Sequence, residues 1–198
     1  MSDMTRGRPI AYSPDEALAA ALQVFWASGY EAASTRQLLD AMHLSRSSLY
    51  QAFGNKEQLF LAALRRYRET LIARLERRLA AAPTARSFLE SLFLETAGEA
   101  ASERAALGCL IFNSATELGR RDDAPAREAR DGVAAITDVF RRAVEQGQAE
   151  GSIAPGREPD VLARYLTLGM AGLRTLIKSG TDPEEARQAA ALVLEVLD

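Results

Sequence analysis

Apolar residues recur along nearly the whole chain three or four positions apart, and nowhere alternate for the length of a strand. Ala17, Leu18, Ala21, Leu22, Phe25 and Trp26 share one side of a segment running from Pro14 to Ser28. Ser13 can cap that segment, Pro14 suits its first turn, and Gly29 stops it. Leu38, Leu39, Ala41, Met42 and Leu44 form a second stripe behind Ser34, and Leu49 and Phe53 form a third behind Ser45. A fourth, long stripe carries Leu59, Phe60, Ala63, Leu64, Tyr67 and Leu71 from about Lys56 to Ala81, before Pro83 breaks it. Further helices are expected over Thr84 to Ala101, Glu103 to Leu118, Ala126 to Gly147 and Pro159 to Ser179, and after Thr181-Asp182-Pro183-Glu184. The pattern predicts an all-α chain of about nine helices with no internal repeat.

The second and third helices are short and joined by a tight turn, which makes a helix-turn-helix. A hydroxyl opens each: Ser34 or Thr35 the first, Ser45 the second, because a side-chain oxygen can accept an amide proton that a helix start leaves unpaired. With Leu49 and Phe53 turned inward, Arg46, Ser47, Ser48, Tyr50 and Gln51 remain outward. Such donors at a helix N-terminus suit the DNA major groove and its phosphates. Arg46, Ser47, Ser48 and Gln51 are the candidates for base edges. Ser34, Thr35, Arg36, Tyr50 and Lys56 are the candidates for phosphates, and Ser45 is mainly a cap. Upstream, Thr5-Arg6-Gly7-Arg8-Pro9 could lay Arg6 and Arg8 along a narrow minor groove. His43, in the turn, is expected to adopt a left-handed conformation.

Gly29-Tyr30, Leu49-Tyr50, Phe53 and Lys56-Glu57, followed by Leu59-Phe60, stand in fixed order around this helix-turn-helix. In these residues the sequence resembles the TetR-type transcriptional regulators, closely over about the first 65 residues. It departs from that pattern at Ala33, where a threonine is usual, at His43, where a glycine is usual, and at Ala52, often a histidine. The resemblance implies an N-terminal DNA-binding head, an effector-sensing and dimerisation domain, and double-stranded operator DNA as partner. The corresponding division is an arm over 1–11, a head over 12–55 and a second domain over 56–198.

The net charge of −3 at first argues against nucleic acid. Its distribution reverses that: residues 1–81 carry +3 and residues 82–198 carry −6. One cysteine leaves no intrachain disulfide, which suits a reducing cytoplasm, the expected location. No run approaches the roughly 18 apolar residues of a membrane span, and no partner membrane is expected. A lone histidine, no glycine-rich phosphate loop and no ligand cluster point away from catalysis, metals and cofactors. The alternative left open is a helical adaptor that binds only protein.

The last two helices are apolar on more than one face, through Val161, Leu166, Leu168, Leu173, Leu176 and Val193 among others, with Gly169 and Gly172 permitting close approach. One face is expected to meet a second copy of the chain. For the effector, two readings stand. In one, Cys109 of Leu107-Gly108-Cys109-Leu110 is a sensor thiol, with Lys178 as a candidate cationic partner. A Gly-Cys-Leu step followed by an asparagine resembles a branch of the family in which that cysteine is thought to sense electrophiles or oxidants. In the other, a reversible ligand enters an apolar cavity. Phe88, Leu92, Phe93, Phe112, Tyr165, Met170 and Leu173 are candidate walls for it, and Asn113, Ser114, Thr116 and Arg174 candidate polar contacts.

Overall fold

The computed structural model describes residues 13–103 and 105–198. Arg6 and Arg8 lie outside them. Among the described residues the chain forms nine α-helices, three short 3₁₀ turns and no strand. Contacts divide it into two compact units, one ending at Ala63 and the other starting at Leu64.

The first unit holds α1 (Pro14–Ser28), α2 (Thr35–Met42), α3 (Arg46–Phe53) and the first turns of α4 (Lys56–Ala81). The α1 start is as the sequence implied: the Ser13 hydroxyl accepts from the Glu16 amide and Pro14 occupies the first turn. Its buried stripe, Ala17, Ala21 and Phe25, meets Leu38 and Met42 of α2, Leu49 of α3 and Leu59, Phe60 and Ala63 of α4 in one core. Aromatic rings fix its centre. Phe25 stands edge-on to Phe60 with centroids 5.1 Å apart, and Tyr30 lies 4.7 Å from the same ring. Such pairs add about 0.5–1.5 kcal/mol beyond burial.

The second unit holds the rest of α4, then α5 (Ala85–Gly98), α6 (Leu110–Leu118), α7 (Ala124–Ala149), α8 (Pro159–Lys178) and α9 (Pro183–Leu194). α7 packs on α5, α6 and α8, while α9 packs on α5 and α8. Phe88, Leu89, Phe93, Ile111, Val139, Phe140, Leu166 and Ala190 are almost wholly buried between them. Gly169 allows the α8–α9 approach, since a Cβ there would lie 2.5 Å from Val193 Cγ1. Gly172 has open space beside it and serves no such contact.

Two expected helices are shorter than the apolar pattern suggested. α5 ends at Gly98 and tightens into a 3₁₀ turn over Glu99–Ala101. The segment before α6 is not helical throughout. A 3₁₀ turn spans Ala105–Leu107, and Gly108 then takes φ 62°, a left-handed angle that ends helical propagation. Apolar spacing cannot report that break.

Candidate nucleic-acid interface and effector cavity

The helix-turn-helix is built from local hydrogen bonds. Ser34 and Gln37 make a reciprocal capping box: the Ser34 hydroxyl accepts from the Gln37 amide at 3.2 Å, and Gln37 Oε1 accepts from the Ser34 amide at 2.9 Å. Ala33, where the resemblance predicts threonine, is buried, so the cap falls to Ser34. His43 ends α2 at φ 53°, ψ 40°, in the left-handed region. The Leu44 amide then donates back to Leu39 O at 3.1 Å, which satisfies a helix-end carbonyl while the chain turns. Ser45 caps α3 by accepting from the Ser48 amide at 3.1 Å, and its oxygen lies 2.9 Å from the hydroxyls of both Ser47 and Ser48.

This geometry turns one face of α3 outward. Leu49 is buried and Phe53 half-buried, whereas Arg46, Ser47, Tyr50 and Gln51 are exposed and Ser48 is half-buried. Arg46 has no hydrogen bond or ion pair among the described residues, so its five donors are available. Thr35 is half-buried, and Arg36 projects into solvent, only 3.9 Å from Asp40 at its nearest. Lys56 differs from the others. Its ammonium donates to the Glu31 carbonyl at 3.1 Å and sits 4.9 Å from the Tyr30 ring centroid. It therefore clamps the turn after α1 to the start of α4. Asn55 caps α4, its Oδ1 accepting from the Gln58 amide at 2.8 Å.

Within the second unit a cavity of about 40 Å³ opens beside Cys109. Leu71, Leu75, Leu92, Ile136, Phe140 and Met170 supply most of its hydrocarbon wall, joined by Phe112. Its polar lining is Tyr67, Thr96, Cys109, Arg74 and Arg174. Cys109 is buried at the N-cap of α6, and the Tyr67 hydroxyl donates to its sulfur at 3.7 Å. Burial pushes the Tyr67 hydroxyl well above its ordinary pKa, and the adjacent Cys109 adds to that. Arg174, 17% exposed, pairs with both carboxylate oxygens of Glu99, and its Nη2 donates to Thr96 Oγ1 at 3.4 Å.

Of the residues proposed for effector sensing, Leu92, Cys109, Phe112, Met170 and Arg174 come together here. Phe93 and Leu173 are buried outside the lining, Phe93 with its ring 6.2 Å from that of Phe140. Tyr165 is 42% exposed on α8. Asn113 closes the bend before α6, its Nδ2 donating to Leu107 O at 2.7 Å. Lys178 is exposed, with its stem over Gly108. Tyr67, Arg74 and Thr96 of the lining, and Glu99, which pairs with Arg174, were not among the sequence-based candidates. Nothing local marks them, because their meaning comes from partners up to 78 positions away.

On α8, Val161, Tyr165, Leu168 and Leu176 form one exposed apolar stripe past Gly172, and Leu192 of α9 is 64% exposed. Among the described residues no helix is long and apolar enough to cross a membrane, and no three His, Cys, Asp or Glu side chains gather as metal ligands would.

Comparison with known proteins places this architecture. The family model for bacterial regulatory proteins, tetR family, matches residues 17–63, and that for the tetracyclin repressor-like C-terminal domain matches residues 89–193. The chain is 31% identical to the HTH-type transcriptional repressor ComR of Escherichia coli, over 97% of this chain and 92% of ComR. It is 30% identical to the HTH-type transcriptional regulator YezE of Bacillus subtilis, over 90% of this chain and 92% of YezE. A cysteine mutant of the TetR family regulator CifR, solved with a 26-base-pair double-strand operator DNA, superposes with a TM-score of 0.85 at 30% identity. That match covers 97% of this chain and all of the CifR chain. The exposed α3 face and these relatives decide against a protein-only adaptor: the chain belongs to the TetR family of bacterial regulatory proteins and is a DNA-binding transcriptional regulator, not an enzyme.

Proposed function

We propose that the protein is a cytoplasmic, homodimeric repressor that leaves its operator when the second unit is occupied or modified. One observation carries the reading: α3 presents Arg46 without a partner, beside Ser47, Gln51 and Tyr50, at a capped helix start. In this reading α3 enters the major groove, where Arg46 reads a guanine edge and Ser47, Ser48 and Gln51 read neighbouring edges. Thr35, Arg36 and Tyr50 hold phosphates, joined by Ser34 and by whatever donors Lys56 retains beyond its clamp. The Arg6 and Arg8 arm reaches the minor groove. That CifR was captured on double-strand operator DNA, and that ComR is named a repressor, support both the partner and the sign of regulation.

The exposed stripe on α8 with Leu192 supports dimerisation, since apolar side chains aligned on one face and rimmed by polar residues favour a covered surface. A two-fold dimer presents two copies of α3 to half-sites about one turn of DNA apart or more. For the effector, burial of Cys109 among hydrocarbon favours a reversible ligand in the cavity, because a shielded thiol reacts slowly. Its place on the cavity wall keeps modification of Cys109 as the second reading.

The test is a binding titration on DNA from the protein's own upstream region, with random DNA as reference. Arg46→Ala is expected to lower the ratio of specific to random binding by about 1–3 kcal/mol. Equal weakening on both DNAs would refute Arg46 as a base reader. A thiol-reactive compound that releases wild type but not Cys109→Ser would establish the second effector reading.

A further inference from the structure

We infer that the cavity beside Cys109 accepts a small monoanion with an apolar body, a carboxylate on a few carbons. The inference rests on the reading of this cavity as the effector site and names the chemistry it recognises.

Charge carries the argument. Two arginines, Arg74 and Arg174, line the cavity, and no acidic residue does. Glu99, which pairs with Arg174, approaches from the 3₁₀ turn after α5 and is not part of the lining. It offsets one of the two charges. Arg74 has no hydrogen bond or ion pair among the described residues and is exposed. The cavity thus has at its solvent-facing edge one arginine without an ion-pair partner, which matches a monoanion. A dianion would leave charge unpaired, and a cation would be repelled.

Size and polarity complete the match. A space of about 40 Å³ compares with about 10–15 Å³ needed for one water, so it holds a short hydrocarbon body. Leu71, Leu92, Ile136, Phe140 and Met170 offer that body apolar contact. Thr96, only 2% exposed, and Tyr67 add hydroxyls in the wall. A carboxylate facing Arg74 gains a charge-assisted hydrogen bond that a neutral amide of the same shape cannot make.

Glu99 is then an internal competitor. It already occupies Arg174 with both oxygens, and its Arg174 partner also contacts Thr96. An entering carboxylate contends with Glu99 for Arg174, and success detaches the 3₁₀ turn from α8.

The experiment is calorimetric titration of the full chain with sodium propionate and sodium butyrate, and with propanamide and butanamide, at matched ionic strength. The acids are expected to bind about tenfold or more tightly than their amides. Arg74→Gln should weaken the acids by about fivefold or more and leave the amides unchanged, with Arg74→Lys restoring part of the loss. Glu99→Gln should tighten the acids about threefold or more, which a purely structural role for Glu99 does not predict. Thermal melts of the unliganded variants confirm that each is folded. Acids and amides of equal affinity, an unchanged Arg74→Gln, or no saturable acid binding up to about 10 mM would each overturn the inference. Operator DNA titrated in parallel separates the two readings. Acids that bind without releasing DNA uphold the ligand class and remove the effector role. Amides that release DNA where the acids do not overturn the class and keep the role.

Discussion

Glu128 is a carboxylate that the fold has taken almost out of water, and replacing it gives the sharpest test of how α4 is held on α7. Its side chain is 6% exposed, with Arg65 Nε at 2.8 Å from Oε2 and Arg68 Nη1 at 2.6 Å from Oε1. The second contact is an ion pair whose angles do not make it a directed hydrogen bond. The two pairs are unequal. Arg65 is 56% exposed, so solvent screens it and its pair contributes about 0.2–1 kcal/mol. Arg68 is 25% exposed and faces the same buried carboxylate, so solvent screens it less and its pair contributes about 1.5–2 kcal/mol, above the range of an exposed pair. Glu128→Ala should therefore cost about 2–3 kcal/mol in urea unfolding followed by circular dichroism at fixed protein concentration. At roughly 2–4 °C per kcal/mol for a chain of this size, Tm should fall by about 5–10 °C. Double-mutant cycles with Arg68→Ala and Arg65→Ala apportion the loss, and Arg68 should show the larger coupling. A total below about 0.5 kcal/mol, or a larger coupling to Arg65, would refute the argument from burial.

Three further outcomes follow from the geometry. Ser34→Ala removes one half of the capping box and should cost about 1 kcal/mol in the same unfolding assay, while Ser34→Thr, which keeps the oxygen, should cost much less. Under the proposed dimerisation through α8, wild type should sediment as a dimer and Leu168→Glu, at a side chain 69% exposed in the centre of the stripe, as a monomer, without loss of helix content. Unchanged dimer would move the interface elsewhere. The Glu150 carboxylate lies below its ordinary pKa of 4.5, first because the Ala85 amide donates to it at 2.6 Å and next because Ser152 does. A depressed folded pKa gives stability that is present above the unfolded value and lost as pH falls through the folded one. Wild type should thus melt higher than Glu150→Gln at about pH 6, with the gap closing as the pH drops below the carboxylate range. A gap that persists in acid would show that the hydrogen bond, not the charge, carries the effect.

The sequence by itself determined the helices, the helix-turn-helix and the caps, because these depend on neighbours three or four residues away. Ser13, Ser34, Ser45 and Asp182 accept the amides of their own first turns, and Pro14, Pro159 and Pro183 open theirs. The outward face of α3 was legible for the same reason: once Leu49 and Phe53 turn inward, helical geometry sends Arg46, Ser47 and Gln51 the other way. The turn at His43 was legible too, since few conformations join two helices so closely. Only the tertiary structure decided what depends on distant partners. It turned Lys56 into a clamp on Glu31 and Tyr30, gave Gly169 but not Gly172 a close helix contact, and broke the chain at Gly108 ahead of Cys109. It also separated Phe112 and Met170, which line the cavity, from Phe93 and Tyr165, which do not, although all four sit on helices with apolar faces. Periodicity reports that a residue faces inward or outward. Which neighbours it meets there is set by helix crossings between segments far apart in sequence, and that is where the cavity beside Cys109 was made.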